Sequence, residues 1–277
     1  MRNKKIIIIS AAIAAFIAFT AWMIWGNVAI TVSQYTVESD NLPSAFDGFR
    51  IAQVSDLHNE EHGDGNRRIL DMIELADPDI IVIVGDLIDR SRTDIEIAVE
   101  FTENACAIAP TYYVNGNHES SLSVEEYQSF CERLKSAGAV ILENSATVIE
   151  KDGERITVAG ISDPTFENVL SREELSALNN GENEFSILLS HRPRDFEQYA
   201  ECGYDLVCSG HLHGGQFRLP FLGGLYAPSY GLFPKYDGGL YEAGESVMIV
   251  SRGLGNSSFP VRFNNPREIV IVELEVK

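Results

Sequence analysis

Five of the six histidines lie in short polar clusters, each at the end of a predicted strand. The clusters mix carboxylate, amide and imidazole groups, which together suit divalent Mn, Fe, Co or Zn. Calcium is a poorer match because it prefers oxygen ligands alone. The sequence therefore predicts a site for such ions. The five clusters are SDLH (55–58), GDLIDR (85–90), GNHE (116–119), SHRP (190–193) and GHLHGG (210–215).

Spacing within two of the clusters places two ligands on one side of the chain. Asp56 and His58 are two residues apart, as are His211 and His213. Each pair can therefore leave a strand end on the same face and bind one ion together. Taken singly, each motif also fits an ordinary structural role: Asp86 could be a helix cap or turn residue, and a lone histidine after an apolar run is more often a hydrogen-bonded core residue.

The joint pattern is stronger than any single motif. Ligands of open α/β sheets bind beyond the carboxyl ends of the strands. Five such ends here supply two Asp, one Asn and five His. That number exceeds what one tetrahedral zinc site needs, so two divalent ions sharing a bridging carboxylate are the expected cofactors.

Short apolar runs alternate with amphipathic stretches after residue 48, which predicts an α/β fold. The runs are rich in β-branched and aromatic residues, and several are continuously apolar, as in strands covered on both faces. The amphipathic stretches carry apolar residues three and four positions apart, as in helices. The predicted strands are 49–55, 79–85, 111–115, 185–190 and 205–209, and the predicted helices are 67–76, 94–109 and 123–138.

Local signals refine this picture. Ser123 and Glu126 have the spacing of a capping box at the start of the third predicted helix. Asp152-Gly153 lies between two alternating runs, which predicts a hairpin. Strands return at 246–251 and 268–274, so we expect a second, more antiparallel sheet packed beside the first.

The N-terminus predicts a membrane anchor. Residues 6–25 are uncharged and mostly apolar, long enough at about 1.5 Å per residue to cross a hydrocarbon core of about 30 Å. A cleaved secretory signal is one alternative, although its apolar region is usually shorter, and a buried core helix is another. We expect an anchor at 1–25, a lead-in strand and linker at 26–48, and one folded domain at 49–277.

Charge is divided unevenly between the anchor and the rest of the chain. The sequence has 21 Lys+Arg and 41 Asp+Glu, for a formal net charge of −20. Arg2, Lys4 and Lys5 precede the apolar segment, which predicts a cytoplasmic N-terminus and an acidic body outside the cell membrane. Nucleic acids are held mainly by Lys and Arg, so we expect no nucleic-acid binding. The four cysteines have no C-x-x-C spacing and fit small buried hydrophobic residues.

The order D-x-H, G-D, G-N-H, H and G-H-x-H, from Asp56 to His213, closely resembles the calcineurin-like metallophosphoesterase superfamily. The segment GGQFRLPFLGGLYAP (214–228) looks like the membrane-associated, exported bacterial branch. The resemblance implies a sandwich of two mixed β-sheets flanked by helices, here preceded by a transmembrane helix.

The resemblance also implies roles for the clustered residues. His118 would be the catalytic histidine that contacts the phosphate and assists the leaving oxygen. Asp86 would bridge the two ions. The ligands of the first metal would be Asp56, His58, Asp86 and His213, and those of the second would be Asp86, Asn117, His191 and His211.

The expected activity is hydrolysis of phosphodiester or pyrophosphate bonds by a metal-bridging hydroxide. A membrane- or envelope-associated substrate, such as a lipid-linked phosphate ester, fits the predicted topology. A phosphomonoesterase or phosphoprotein phosphatase is the alternative enzyme, and a non-catalytic membrane-anchored binding module is the alternative of a different class. No metal ligand of the pattern is missing, which favours an enzyme over such a module.

Two features near the clusters bear on the substrate. Arg90 follows the second cluster and is either a phosphate ligand or a surface charge, and His62 is expected to lie outside the metal shell. The segment 217–241 is rich in Gly, Pro and aromatic residues. It is either a self-packed loop or an apolar rim that meets lipid. The rim would consist of Phe221, Tyr226, Tyr230 and Phe233.

Overall fold

The computed structural model describes residues 2–166, 169–179, 184–228, 230–256 and 260–277, which form six α-helices and sixteen strands. The helices are α1 (Arg2–Val28), α2 (Arg67–Leu75), α3 (Ile95–Ile108), α4 (Val124–Ser136), α5 (Arg172–Leu178) and α6 (Phe196–Glu201). The strands are β1 (Ile30–Ser39), β2 (Phe49–Val54), β3 (Ile80–Val84), β4 (Thr111–Val114), β5 (Val140–Ile141), β6 (Ser145–Lys151), β7 (Glu154–Gly160), β8 (Ser186–Leu189), β9 (Leu206–Ser209), β10 (Arg218–Leu219), β11 (Gly223–Gly224), β12 (Tyr226–Ala227), β13 (Gly231–Leu232), β14 (Gly239–Ala243), β15 (Ser246–Val250) and β16 (Arg267–Val276).

Twelve of the strands form two six-stranded mixed sheets. The first has the order β1-β16-β2-β3-β4-β5, and its only antiparallel pair among these strands is β16 with β2. The second has the order β14-β15-β9-β8-β7-β6 and is antiparallel at its two outer pairs. Two short antiparallel hairpins, β10 with β11 and β12 with β13, lie outside both sheets.

Three apolar clusters explain how the layers hold together. The largest joins the facing sides of the two sheets, for example Val82 on β3 and Ile187 on β8. A second lies between the first sheet and helices α2, α3 and α4, where Ile81 packs with Phe101. A third covers the outer side of the second sheet with α5 and α6. Neighbouring β3 residues therefore point into different cores, which is why this strand is continuously apolar.

The structure confirms the predicted α/β sandwich of two mixed sheets flanked by helices. Helices α2, α3 and α4 lie where the periodicity places them, and α4 begins with the expected capping box of Ser123 and Glu126. The hairpin predicted at Asp152-Gly153 joins β6 and β7. Of the cysteines, Cys106 is half-buried and the other three are buried, all with free thiols.

The assignment of the last strand was wrong. The predicted strand 268–274 lies in β16, which belongs to the first sheet, between β1 and β2. It is apolar on both faces: Val270 and Val272 pack between the sheets, while Ile269 packs against the helical side. The second sheet has more antiparallel pairs than the first, as expected, but parallel pairs still predominate in it.

The N-terminal helix runs three residues beyond the predicted anchor. It ends at Val28, and Asn3–Val28 is long and apolar enough to be a candidate membrane span, with none of its most apolar window buried in the protein. The chain then enters β1, which pairs in parallel with β16. The end of the helix is therefore attached to the edge of the first sheet.

Candidate metal centre

The polar clusters all lie beyond the carboxyl ends of parallel strands. Asp56 and His58 follow β2, Asp86 follows β3, and Asn117 and His118 follow β4 in the first sheet. In the second sheet, His191 follows β8, and His211 and His213 follow β9. Because the two sheets face each other, these ends meet, and the structure brings all eight predicted site residues to one place.

The first group consists of Asp56, His58 and His213, all buried. His58 Nε2 and His213 Nε2 are 3.0 Å apart. Asp56 Oδ1 lies 3.4 Å from His213 Nε2 and 3.8 Å from His58 Nε2. Two imidazole nitrogens and a carboxylate oxygen that converge in this way form a set of donors that could hold one divalent ion.

The second group consists of Asp86, His191 and His211. His191 Nε2 lies 3.2 Å from Asp86 Oδ2 and 3.1 Å from His211 Nδ1. The other nitrogen of His191, Nδ1, is 2.9 Å from Val84 O and donates to it, so Nε2 is the ligating nitrogen when the ring is neutral.

Asp86 stands between the two groups. Its Oδ2 atom lies 3.2 Å from His191 Nε2 and 3.6 Å from His58 Nε2. Its Oδ1 atom accepts a hydrogen bond of 2.7 Å from the backbone N–H of His118, which fixes the orientation of the carboxylate. One carboxylate oxygen thus faces the histidines of both groups.

Asn117 and His118 complete the set. Asn117 Oδ1 is buried and accepts no hydrogen bond from the described residues. His118 Nδ1 accepts a hydrogen bond of 3.1 Å from the backbone N–H of Arg90. In the neutral ring the proton is therefore on Nε2.

Backbone geometry at the strand ends is unusual. Asp56, His58, Asp86, His211 and His213 all have positive φ, between 48° and 74°. Left-handed backbone is uncommon for residues other than glycine, although Asp and His adopt it more readily than most, and it is concentrated at functional sites. The loops after β2, β3 and β9 therefore adopt less favourable conformations in order to aim these side chains inward.

Glycine at two positions makes this convergence possible. Gly85 has a φ of 74°, and a Cβ atom there would lie 2.6 Å from His191 Nδ1. A Cβ atom on Gly116 would lie 2.3 Å from Asp86 Oδ1. At both positions the backbone approaches the site side chains too closely to leave room for a Cβ atom.

Comparison with known proteins identifies the arrangement. The model of the family described as Calcineurin-like phosphoesterase matches residues 49–215, more than half of the chain. The chain belongs to this family. Its members are metal-dependent, and the match makes this protein a metallophosphoesterase, a hydrolase that acts on ester bonds.

Similarity to individual relatives extends past the family match. YkuE of Bacillus subtilis (strain 168), an uncharacterized metallophosphoesterase, is 32% identical over 257 residues, covering 89% of this chain and 86% of that protein. Phosphodiesterase YaeI of Escherichia coli (strain K12) is 30% identical over 240 residues, covering 82% of each. A transmembrane protein with metallophosphoesterase domain from Danio rerio is 31% identical over 252 residues, covering 85% of this chain and 55% of that protein.

Electrostatics divide the histidines of this metallophosphoesterase into two kinds. Burial would lower the pKa of His58, but Asp56 and the other carboxylates outweigh it and raise the pKa to about 9. In the same way Asp86 overcomes burial and raises the pKa of His191 to about 10. For His211 burial prevails and lowers the pKa to about 3. Burial likewise lowers the pKa of His213 and of His118, to about 3 and about 4.

The carboxylates respond in the opposite sense. Burial would raise the pKa of Asp56 and Asp86, but the histidine rings around them hold both below the ordinary value. The two carboxylates are therefore ionised at neutral pH and available as ligands.

Two carboxylates around the centre were not singled out from the sequence. Asp89 Oδ2 lies 3.5 Å from His58 Nδ1 and can orient that ring. Glu119 is fully buried and accepts hydrogen bonds from the backbone N–H groups of Asp86, Leu87 and Gly116, at 3.1, 2.7 and 2.9 Å. Asp89 lies in the GDLIDR cluster and Glu119 in the GNHE cluster. Their proximity in sequence to the predicted ligands could have identified them.

Arg262 carries no sequence signal at all. It is fully buried, and burial lowers its pKa to about 9. Its guanidinium donates to the carbonyl oxygens of Arg252 and Gly255, at 2.8 and 2.5 Å, and lies 3.4 Å from His213 Nδ1. Arg262 thus holds the backbone at residues 252–255. It also contacts His213, a predicted metal ligand, at Nδ1, whereas Nε2 of that ring faces Asp56.

A cleft of about 690 Å³ opens over the centre. Three arginines line it together with His118, His211 and His213. Arg192 makes a two-pronged ion pair with Asp163, at 2.6 and 3.1 Å. The other two arginines are Arg90, whose Nη2 donates to Asn117 O at 2.9 Å, and Arg92.

Among the described residues, His62 lies outside the groups that could hold an ion. It is buried, and its Nε2 atom is 3.0 Å from Leu254 O. Burial lowers its pKa to about 4. These contacts agree with the expectation that His62 lies outside the metal shell.

Proposed function

We propose that this protein is a binuclear metal-dependent phosphohydrolase that cleaves phosphodiester or pyrophosphate bonds. The observation that carries the proposal is the position of Asp86 Oδ2, which lies within 3.6 Å of a histidine nitrogen in each group. A carboxylate in that position can bridge two ions. A single ion would leave the ligand atoms of one group without an ion to bind.

The residues present fit such ions. Asn117 Oδ1 is a buried oxygen that no hydrogen bond from the described residues satisfies, and a buried polar atom of this kind usually has a partner. We assign Asp56, His58, Asp86 and His213 to one ion and Asp86, Asn117, His191 and His211 to the other. The mixed nitrogen and oxygen set suits Mn, Fe, Co or Zn.

The proposed mechanism uses the chain's own groups around the ions. Bound divalent ions lower the pKa of a coordinated water and stabilise the charge that develops on the phosphoryl oxygens. His118 presents Nε2–H, because the backbone N–H of Arg90 occupies Nδ1. That N–H can donate to a phosphate oxygen and to the departing oxygen.

Charge in the cleft favours a phosphate ester. Arg90, Arg92 and Arg192 line the cleft of a chain whose formal net charge is −20, and their charges balance those of Glu60, Asp86 and Asp89 in the same lining. The net positive charge of the cleft would therefore come from the proposed ions. Guanidinium groups hydrogen-bond phosphate oxygens well. The arginines and the ions together would make a local positive site in an acidic protein, which supports recognition of one phosphate group at one point rather than of a polyanion along a surface.

Location limits the substrate. We propose that the apolar segment 6–25 of α1 crosses the cell membrane, with the N-terminus in the cytoplasm and the domain at 49–277 on the extracytoplasmic side. Lys4 and Lys5 precede the apolar segment, which supports this orientation by the positive-inside rule. A phosphate ester in the membrane or cell envelope is then within reach.

The experiment compares full-length protein before and after treatment with a chelator, with bis(p-nitrophenyl) phosphate as substrate. Chelation should abolish hydrolysis, and Mn²⁺ or Zn²⁺ should restore it. Asp86→Ala and His211→Ala should lose at least about 10³-fold in kcat, because each removes a proposed ligand. The matched control is His62→Gln, which replaces a buried histidine outside the centre and should keep nearly full activity.

The outcomes separate the possibilities. Full activity after complete removal of metal would disprove the metal mechanism. A rate on p-nitrophenyl phosphate that greatly exceeds the rate on the diester would favour a phosphomonoesterase instead. The name of the relative YaeI, a phosphodiesterase, supports the diester.

A further inference from the structure

Large apolar side chains lie uncovered on the two short hairpins that follow the last histidine cluster. Phe221 is fully exposed at the turn of the β10/β11 hairpin, beside Leu222, which is 65% exposed. On the β12/β13 hairpin and just after it, Leu232 is 68% exposed and Phe233 is 52% exposed. We call these four side chains the hairpin surface.

Two members of the hairpin surface hold strained backbone. Phe221 has a φ of 67° and Phe233 a φ of 51°. Left-handed conformations are outliers for bulky aromatic residues and cost on the order of 1 kcal/mol or more. Contact of the exposed aromatic rings with water does not offset this strain. Burial of the rings against a partner would offset it, so the arrangement indicates a partner that covers them.

A row of backbone hydrogen bonds connects the hairpin surface to Phe263. The N–H of Arg218 donates to Phe263 O at 2.9 Å. Next along the row, the N–H of Leu225 donates to Phe217 O at 2.7 Å, and the N–H of Phe233 donates to Leu225 O at 2.9 Å. The two hairpins and residue 263 thus form one small layer.

The other side of Phe263 packs against the end of α1. The ring centroids of Phe263 and Trp22 are 4.8 Å apart, and those of Phe263 and Phe19 are 6.4 Å apart. Asn27 Nδ2 donates to Arg262 O, and the N–H of Arg262 donates to Asn27 Oδ1, both at 2.7 Å. The membrane helix is therefore fixed to the layer that carries the hairpin surface.

The length of α1 sets the depth of this contact. Its uncharged part, residues 6–25, spans about 30 Å at about 1.5 Å per residue, which matches a hydrocarbon core of about 30 Å. Trp22 lies near the end of that part, where indole rings prefer the boundary between lipid and water. With α1 across the membrane as proposed above, Phe263, in contact with Trp22, would lie at the same boundary.

We propose that the hairpin surface docks onto the outer face of the lipid bilayer beside α1. The occupant is lipid because the layer is fixed to a membrane-spanning helix at the level of its interfacial tryptophan. A second copy of the chain is the competing occupant. This surface gives a more specific form to the apolar rim considered from the sequence, since Tyr230 packs instead against His211, with ring centroids 5.7 Å apart.

Docking would bring the cleft to the lipid headgroups. Pro228, in the β12/β13 hairpin, lines the cleft, as does Pro260, two residues before Arg262. The inference about substrate rests on the proposed function: the phosphate ester would be carried by a lipid and enter the cleft from the membrane surface. The docking itself does not depend on catalysis and can be tested without it.

The test places an environment-sensitive nitrobenzoxadiazole probe on Phe221→Cys and Phe233→Cys in the full-length protein. The protein is reconstituted in vesicles of phosphatidylethanolamine and phosphatidylglycerol. Leu75→Cys is the matched control because this leucine is 86% exposed on α2, which packs against α3. Unmodified protein carried through the same labelling reports background from the four native cysteines.

We expect the probes at 221 and 233 to emit at shorter wavelength than the probe at 75 and to be quenched by doxyl-labelled lipid. The emission and quenching of the probes should be the same after chelation. Loss of catalysis can therefore be distinguished from loss of docking. Probes at 221 and 233 that behave like the probe at 75 would overturn the proposal. A second copy would cover the surface instead if doxyl lipid did not quench the probes and their blue shift changed with the ratio of protein to lipid. That outcome would overturn the proposal.

The substrate class has its own test. A double variant with Phe221→Ser and Leu222→Ser should hydrolyse a lipid-anchored nitrophenyl phosphodiester in vesicles at least about tenfold more slowly, which corresponds to about 1.4 kcal/mol of lost interaction. Its rate on soluble bis(p-nitrophenyl) phosphate should match that of Leu75→Ser. Equal rates of the double variant and the control on the vesicle substrate would overturn the lipid substrate.

Discussion

At the scale of single residues, the centre combines rings that hold a proton with rings that do not. His58 and His191 face ionised carboxylates, which raise the pKa of these rings to about 9 and about 10. His211 and His213 are neutral because burial lowers their pKa values to about 3. Without bound ions, His58 and His191 each therefore hold a proton at neutral pH, and these protons supply the positive charge that metal ions would otherwise supply.

This arrangement predicts proton release on metal binding. A histidine must be neutral to ligate, so binding of Zn²⁺ at about pH 7.5 should release about two protons per protein. Both raised pKa values lie above that pH, so the affinity for metal should increase as the pH rises through about 9 and about 10. Calorimetric titration in two buffers with different ionisation enthalpies measures the release.

The control for proton release is His62→Gln, whose titration should equal that of the unmodified protein. His62 has a pKa lowered to about 4 by burial and is neutral at pH 7.5 in any case. Heats that do not depend on the buffer would contradict the prediction.

At the scale of elements, the centre depends on how the loops after β3 and β4 are held together. Glu119 Oε2 accepts the N–H groups of Asp86 and Gly116, one from each loop. Burial, with Asp86 nearby, raises the pKa of Glu119 to about 7. This carboxylate therefore positions Asp86, the proposed bridging ligand, without belonging to the proposed ligand set.

Replacing Glu119 by Gln should loosen both loops. The amide NH₂ group would face backbone N–H donors and leave some of them without an acceptor, which costs about 1–3 kcal/mol for each buried group. At about pH 8 the ionised carboxylate of Glu119 is itself unfavourable, because burial and Asp86 raise its pKa, and glutamine removes that charge. We therefore expect the free energy of unfolding in urea to fall by only about 1 kcal/mol, less than the lost acceptors alone would cost, and metal affinity to fall with it.

Glu126→Gln is the matched control for this element. Glu126 closes the capping box of α4 by accepting the N–H of Ser123 at 2.9 Å, and glutamine serves that position as well. Its stability should change little. If both variants had the same stability, the two-loop contact of Glu119 would not have the role proposed here.

At the scale of the whole molecule, the centre lies where two sheets meet. Asp56, Asp86 and Asn117 come from the first sheet, and His191 and His211 come from the second. Ions held by both sets would link the sheets at the open end of their shared core. The charge of the ions would also offset the surrounding carboxylates in a chain of formal charge −20.

Metal should therefore stabilise the native protein as a whole. An ion at 100 times its Kd adds about 2.7 kcal/mol, which for a domain of this size raises Tm by roughly 5 to 10 °C. Thermal unfolding of the detergent-solubilised full chain, with Mn²⁺ and with a chelator, measures this. Asp86→Ala should lose the shift, whereas His62→Gln should retain it, and an equal Tm with and without metal would argue against ions that bridge the sheets.

Much of the fold and of the site was predictable because the signals are local. Apolar runs, three- and four-residue periodicity and the capping residues Ser123 and Glu126 depend on a few neighbouring positions. The clusters at strand ends could be grouped because carboxyl ends of parallel strands share one edge of a sheet. The residues from Asp56 to His213 therefore already indicated a metal centre and its family.

Contacts between distant parts of the chain were decided only by the tertiary structure. Three examples are the position of β16 in the first sheet, the contact of Arg262 with His213 and the packing of Tyr230 on His211. In each case the sequence around the residues fits other partners equally well. Such contacts depend on how whole layers pack, which no short window of sequence encodes. The docking of α1 on Phe263 is of the same kind: the apolar segment alone predicts a membrane helix, but only the fold brings its end beside the cleft.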